Sequence, residues 1–156
     1  MAEPTAVLLV AKGLDIGGIE RIVVDLAVSY ARRGVPVEVA VVNDRRDQLL
    51  PLLTDAGVVV HRLGGSDHIG VAAARRLARL VAQPRFGVVH VHGPLPAVVA
   101  RLACRHRPIV TTAHTPLGAL RLPTRLAWQL TAGSDPATPD SPAPLTPSGL
   151  VAHGTT

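Results

Sequence analysis

The sequence predicts an α/β domain in which a parallel sheet carries helices on both faces. Three observations lead there. Short apolar runs rich in β-branched residues alternate with segments whose apolar residues recur at helical spacing along most of the chain. The first run, AVLLVA at 6–11, is continuous rather than alternating, as suits a strand covered on both sides. The chain has 156 residues, 47% of them hydrophobic, and a chain of this length buries roughly 70% of the surface its unfolded form exposes. One domain with a real core is therefore expected, and disorder throughout is excluded.

After the first strand and a glycine-containing loop, Ile19, Ile22, Val23, Leu26 and Tyr30 mark a helix. Arg32 and Arg33 favour the negative end of its dipole and Gly34 can take the left-handed cap, so the helix stops near residue 33. VEVAVV at 37–42 is the second strand. A short helix follows from about Gln48, with Asp47 as the expected cap and Pro51 in the first turn, where a missing N–H costs little. VVVH at 58–61 reads as the third strand.

The segment from Ile69 to Gln83 is helical, with Ala73, Leu77, Leu80 and Val81 on one face and Arg75, Arg76 and Arg79 on a solvated one, and Pro84 ends it. GVVHVH at 87–92 is the fourth strand. Pro94 and Pro96 suit the opening turn of a helix running to about Arg105, and PIVTTA at 108–113 is the fifth strand. A weaker helical stretch covers about Leu117 to Leu130. Between Ser134 and Ser148 five of fifteen residues are Pro, so the division expected is one domain over 1–132 and an extended, poorly packed tail over 133–156.

Composition narrows the function classes. Fifteen of the sixteen basic residues are Arg, Lys12 being the exception, and they outnumber the eleven acids. Nucleic-acid binding is not expected, because it calls for clustered basic residues and stacking rings, and the aromatics are Tyr30, Phe86 and Trp128 alone. No apolar run approaches the roughly 18 residues of a membrane span, and the first follows Glu3 without a basic leader. The chain is read as cytoplasmic, with peripheral membrane attachment left open. Cys104 is a structural thiol in an apolar helical setting.

In an open parallel sheet, ligands gather outside the carboxyl ends of the strands, and three loops there carry suggestive residues. In KGLDIGGIER at 12–21, Gly17 and Gly18 open a helix whose exposed N–H groups can accept an anion, or they are a plain tight turn. Their spacing is not GxGxxG and lacks the GK[ST] ending of a nucleotide-triphosphate loop. In VHVHGP at 89–94, His90 and His92 point to one face of a strand. They are either a metal pair awaiting a third ligand, or one packs against a helix while the other hydrogen-bonds at the strand end. In TTAHTP at 111–116, His114 emerges past a strand end, and a histidine, whose unperturbed pKa is about 6.5, suits hydrogen bonding or acid/base work there.

These loops in this order, KGLDIGGIERIVVDLA, VHVHGPLPAVVARLA and IVTTAHTP, together with SYARRGVPVEVAVV and LLTDAGVVVHRL between them, resemble the N-terminal domain of the family 4 glycosyltransferases. The resemblance covers residues 6–131 and implies a Rossmann-like fold, one half of the two-domain GT-B architecture. It is weakest near the end, where prolines stand in the family's last strand and helix. It further implies an enzyme that moves a sugar from a nucleotide-diphosphate sugar to the hydroxyl of a glycan, lipid or small-molecule acceptor, with retention of anomeric configuration. No metal and no other cofactor is implied.

By the same resemblance Gly17 and Gly18 lie beside the donor diphosphate and acceptor, and His92 and Gly93 line the acceptor side. His114 is the catalytic candidate close to the transferring sugar, while Glu20 supports the N-terminal turn of its helix. The family grips the nucleotide with a second Rossmann-like domain, so this chain by itself is expected to lack the donor-binding half. Two other classes stay open. One is a non-catalytic Rossmann-like binding module or truncated relic. The other is a nucleotide-binding oxidoreductase, disfavoured by the glycine spacing and resting only on Asp44 after the second strand.

Overall fold

The computed structural model describes residues 5–43, 45, 47–65, 70–103, 108–112 and 122–132. Within them strand and helix alternate: β1 (Ala6–Ala11), α1 (Gly18–Arg32), β2 (Val37–Asn43), α2 (Leu50–Asp55), β3 (Val59–Gly65), α3 (Val71–Val81), β4 (Phe86–His92), α4 (Pro94–Ala103), β5 (Ile109–Thr112) and α5 (Leu122–Ala132). Every strand pairing is parallel and the sheet order is β3-β2-β1-β4-β5, a Rossmann-like α/β arrangement. The proline-rich segment assigned to a tail falls outside the described residues.

The period of two along β1 splits the core into two layers. Leu8 and Val10 join Leu77, Leu80 and Val81 of α3 and Ala97 and Ala100 of α4. Leu9 and Ala11 join Val23, Val24 and Ala27 of α1 and Leu53 of α2. Residues 8–11 are all fully buried, which is the physical reason β1 reads as an unbroken apolar run. Thus α1 and α2 cover one face, and α3 and α4 the other.

Several local readings hold in detail. The left-handed Gly34 (φ +71°) follows α1, and its N–H donates to the Ala31 carbonyl at 3.0 Å. Arg75, Arg76 and Arg79 lie exposed on α3, and Arg76 reaches back to donate to the Leu63 carbonyl at 2.8 Å. At the amino-terminal end of the sheet, Glu38 Oε2 accepts from Arg85 at 2.9 Å and meets His61 Nε2 at 2.5 Å, tying β2, β3 and the entry to β4 together.

Other readings need correction. Asp47 does not cap α2 with its side chain. The N-cap position is Leu49, without a side-chain bond, while the Asp47 carboxylate is held by Arg62 at 2.8 Å. Strand β3 runs on to Gly65 rather than ending at His61, because pairing with β2 continues through Arg62 and, after a register shift, joins Gly65 to Asn43. Helix α3 begins at Val71, two residues later than read. Helix α4 is described to Ala103, so Cys104 and the predicted end near Arg105 lie outside the described residues.

Helix α5 packs on the domain through Trp128 and Thr131 and leaves its leucines exposed. Trp128 packs against the α3/α4 core layer beneath the Arg101 guanidinium, 4.3 Å from the ring centroid, and Thr131 is buried beside it, its hydroxyl donating to the Ala127 carbonyl at 2.8 Å. Leu122, Leu126 and Leu130, at successive spacings of four on the other side of the helix, are 66%, 50% and 82% exposed.

Candidate functional site

Strand order reverses between β1 and β4, which pair side by side through Val10 and Val91, while α1 leaves toward one face and α4 toward the other. The diverging connections leave a crevice at the carboxyl ends of these two strands, the place where open α/β sheets take ligands. Two of the three loops singled out from the sequence converge there. The third carries His114, which lies outside the described residues, as does its relation to the other two.

The loop after β1 is anchored at its base and open at its helix end. The Lys12 carbonyl accepts the Asn43 N–H at 2.6 Å, the Leu14 carbonyl accepts that of Leu49 at 2.9 Å, and the Leu14 side chain is 1% exposed. Ile16, two residues on, is 77% exposed. Gly17 is the N-cap of α1 in an extended conformation that any residue can adopt, so its glycine answers to something else. The Glu20 carboxylate folds back over Gly17, and a Cβ there would run into it. Glu20 stands three residues past the cap, the position from which an acid supports the first turn.

Gly18 differs. A Cβ added to it meets no heavy atom within 4 Å, so the space over the first turn of α1 is open. The Arg21 N–H donates to the Gly17 carbonyl at 2.9 Å as the first turn closes; the amides before it lie outside the helical ladder, at the positive end of the dipole. An anion approaching here meets backbone donors without a side chain in the way.

The end of β4 is built differently. His92 is 2% exposed and stands opposite Thr112 in the β4–β5 register. Its ring lies 4.3 Å from that of His90, centroid to centroid, and His90 Nε2 is 2.8 Å from Thr112 Oγ1. The two imidazoles do share a face, as their spacing predicts. The rings face each other and His90 also meets a β5 hydroxyl, and among the described residues no cluster of three His, Cys, Asp or Glu side chains is placed to hold a metal.

Gly93 follows with φ +94°, and here conformation does select glycine: its Cβ would meet nothing nearer than Pro96 Cδ at 3.9 Å, yet the backbone region excludes most side chains. This left-handed residue turns strand directly into helix. Its N–H donates to the Thr112 carbonyl at 3.2 Å, and its carbonyl accepts the Ala97 N–H at 3.3 Å. His92 and Gly93 are therefore buried at the carboxyl end of β4, whereas the first turn of α1 after β1 is open at Gly18.

Sequence reasoning passed over two residues at this end of the sheet. Asn43 closes β2 beside the β1 loop, 8% exposed, its Oδ1 accepting the Arg45 N–H at 3.1 Å. Thr112 closes β5 against His90. The available signal was a polar residue ending each apolar strand run.

Beyond this geometry, the Glycosyltransferase Family 4 profile matches residues 16–149. The chain belongs to glycosyltransferase family 4. No curated protein matches it. The family match begins at the loop that holds Gly17 and Gly18 and includes the β4–α4 turn and residue 114. Among the described residues, no helix is long and apolar enough to cross a membrane.

Proposed function

We propose that this family 4 chain is the acceptor-side half of an enzyme that transfers a sugar, with retention, from a nucleotide-diphosphate sugar to an acceptor hydroxyl. The supporting observation is that the open first turn of α1 and the buried end of β4 border one crevice at the switch point of the sheet. In this reading the amides at Gly17 and Gly18 face the donor diphosphate, whose negative charge grows as the glycosidic bond to phosphate breaks. Preorganised N–H dipoles stabilise such charge best where water is excluded. His92 and Gly93 shape the floor under the acceptor, and His114 acts beside the transferring sugar.

In this reading a second Rossmann-like domain closes over the crevice and holds the nucleotide. One such unit alone leaves the crevice open to solvent and the diphosphate gripped from one side. The purified 156-residue chain should therefore show no sugar transfer and weak or no nucleotide-sugar binding by calorimetric titration. Turnover of any nucleotide sugar by this chain alone refutes the half-enzyme reading.

A further inference from the structure

We infer that the outer edge of the sheet carries a second anion site, a cleft between β3 and α3 that takes the phosphate group of a small phosphorylated molecule. The cleft has a volume of about 380 Å³. Three guanidiniums and an imidazole line it, Arg62 and His61 from β3 and Arg76 and Arg79 from α3, with the half-buried Gln83 at its end. None of its lining residues is acidic. In the sheet order β3 stands two strands from β1, so the cleft is separate from the crevice described above.

The two carboxylates that reach this lining are already engaged. Asp47 holds Arg62 at 2.8 Å, and Glu38 meets His61 while also accepting from Arg85. Arg76 is fixed by the backbone instead. Its Nη1 donates to the Leu63 carbonyl at 2.8 Å and lies against Gly64, where φ is +65° and a Cβ would collide with that same nitrogen. The left-handed glycine thus clears the guanidinium's place on the strand, and the bond to Leu63 uses one of its five N–H donors.

Arg79 stands three residues further on, beside Arg76 on the helix surface, exposed and paired with no carboxylate among the described residues. Like charges at this spacing repel, and an anion seated between them removes the repulsion. The planar fork of each guanidinium matches the oxygens of a phosphate group in pairs. A lipid surface fits less well, because Leu63 and Leu80, the leucines of the lining, are buried and cannot insert into a bilayer.

Amide spectra of the full chain titrated with inorganic phosphate at constant ionic strength test the site. Saturable shifts are expected at residues 61–63 and 76–83, with a dissociation constant on the order of 1 mM. Arg79→Gln should raise that constant at least about fivefold, and Arg79→Lys, which keeps the charge without the fork, at least about twofold, with far-UV circular dichroism unchanged. Arg75→Gln makes the same charge change on the same helix but lines a different groove, and should alter the constant by less than about 1.5-fold.

The absence of saturable shifts at these residues overturns the inference. So does an equal loss in Arg75→Gln and Arg79→Gln, which would reduce the effect to diffuse attraction by a chain of charge +5. Shifts confined to residues 17–21 would belong to the α1 turn and leave no second site. Binding to phosphatidylglycerol vesicles with no response to free phosphate would assign the arginines to a lipid surface.

Discussion

Gly18 provides a test in which stability and function move in opposite directions. Gly18→Ala adds one methyl group to the first residue of α1, where it meets nothing within 4 Å and the backbone is not left-handed. The fold loses no contact, and the unfolded chain loses freedom, so the variant should be more stable by about 0.4–1 kcal/mol. For a chain of this size that corresponds to a rise in Tm of roughly 1–4 °C. Gly34→Ala is the matched control. Its added methyl also meets nothing within 4 Å, but φ is +71°, so the left-handed strain of about 1–2 kcal/mol makes it destabilising.

The functional half of the test uses inorganic pyrophosphate as a probe in thermal unfolding. If it binds the amides of the α1 turn it raises the Tm of the wild type, by an amount that follows its concentration over its Kd. In Gly18→Ala the methyl occupies the approach, and the response should fall or vanish although the apo protein is more stable. A Gly18→Ala protein that is less stable than wild type refutes the structural argument. One that keeps the full pyrophosphate response refutes the placement of the anion.

Three further outcomes are expected. Gly93→Ala should cost about 1–3 kcal/mol in urea unfolding, as strain at φ +94° with no steric clash, and should speed hydrogen exchange at the Gly93 amide bonded to Thr112. Glu38→Gln should destabilise by about 1–2 kcal/mol, because it removes the negative charge that His61 and Arg85 share and leaves a single amide oxygen to accept from both; equal exchange rates in β3 before and after would contradict that role. Leu77→Ala empties a fully buried site between α3 and the sheet and should lower stability by about 2–5 kcal/mol, read from the denaturation midpoint at constant slope.

The strands buried on both faces were the most legible parts of this chain, because burial on both sides forces a continuous apolar run, as in β1 and β2. Strand β3 was read short because its second half, Arg62 to Gly65, contains a charge and two glycines; only the parallel pairing to β2, a tertiary fact, holds it in the sheet. The cap at Asp47 failed for a similar reason, since Arg62 from a different strand competes for the carboxylate. Helix α5 was legible as a helix and not in its facing, which the Arg101–Trp128 contact decides.

At the site, position along the chain identified both the Gly17 and Gly18 loop and the His92–Gly93 turn. That they adjoin follows from the order in which β1 and β4 pair, and no local pattern encodes it. The same holds for Asn43 and Thr112, each unremarkable until the sheet lines up the strand ends.

The two edges of the sheet bear on how the protein stays dispersed. Among the described residues strand β5 spans four residues, and β3 sets Arg62 and paired glycines along its outer rim although Val59 is 54% exposed. Short or charged rims make poor templates for adding a foreign strand. Uncontrolled strand-to-strand growth into fibres is thereby discouraged at both edges, although Val110 of β5, like Val59, leaves an apolar side chain exposed there.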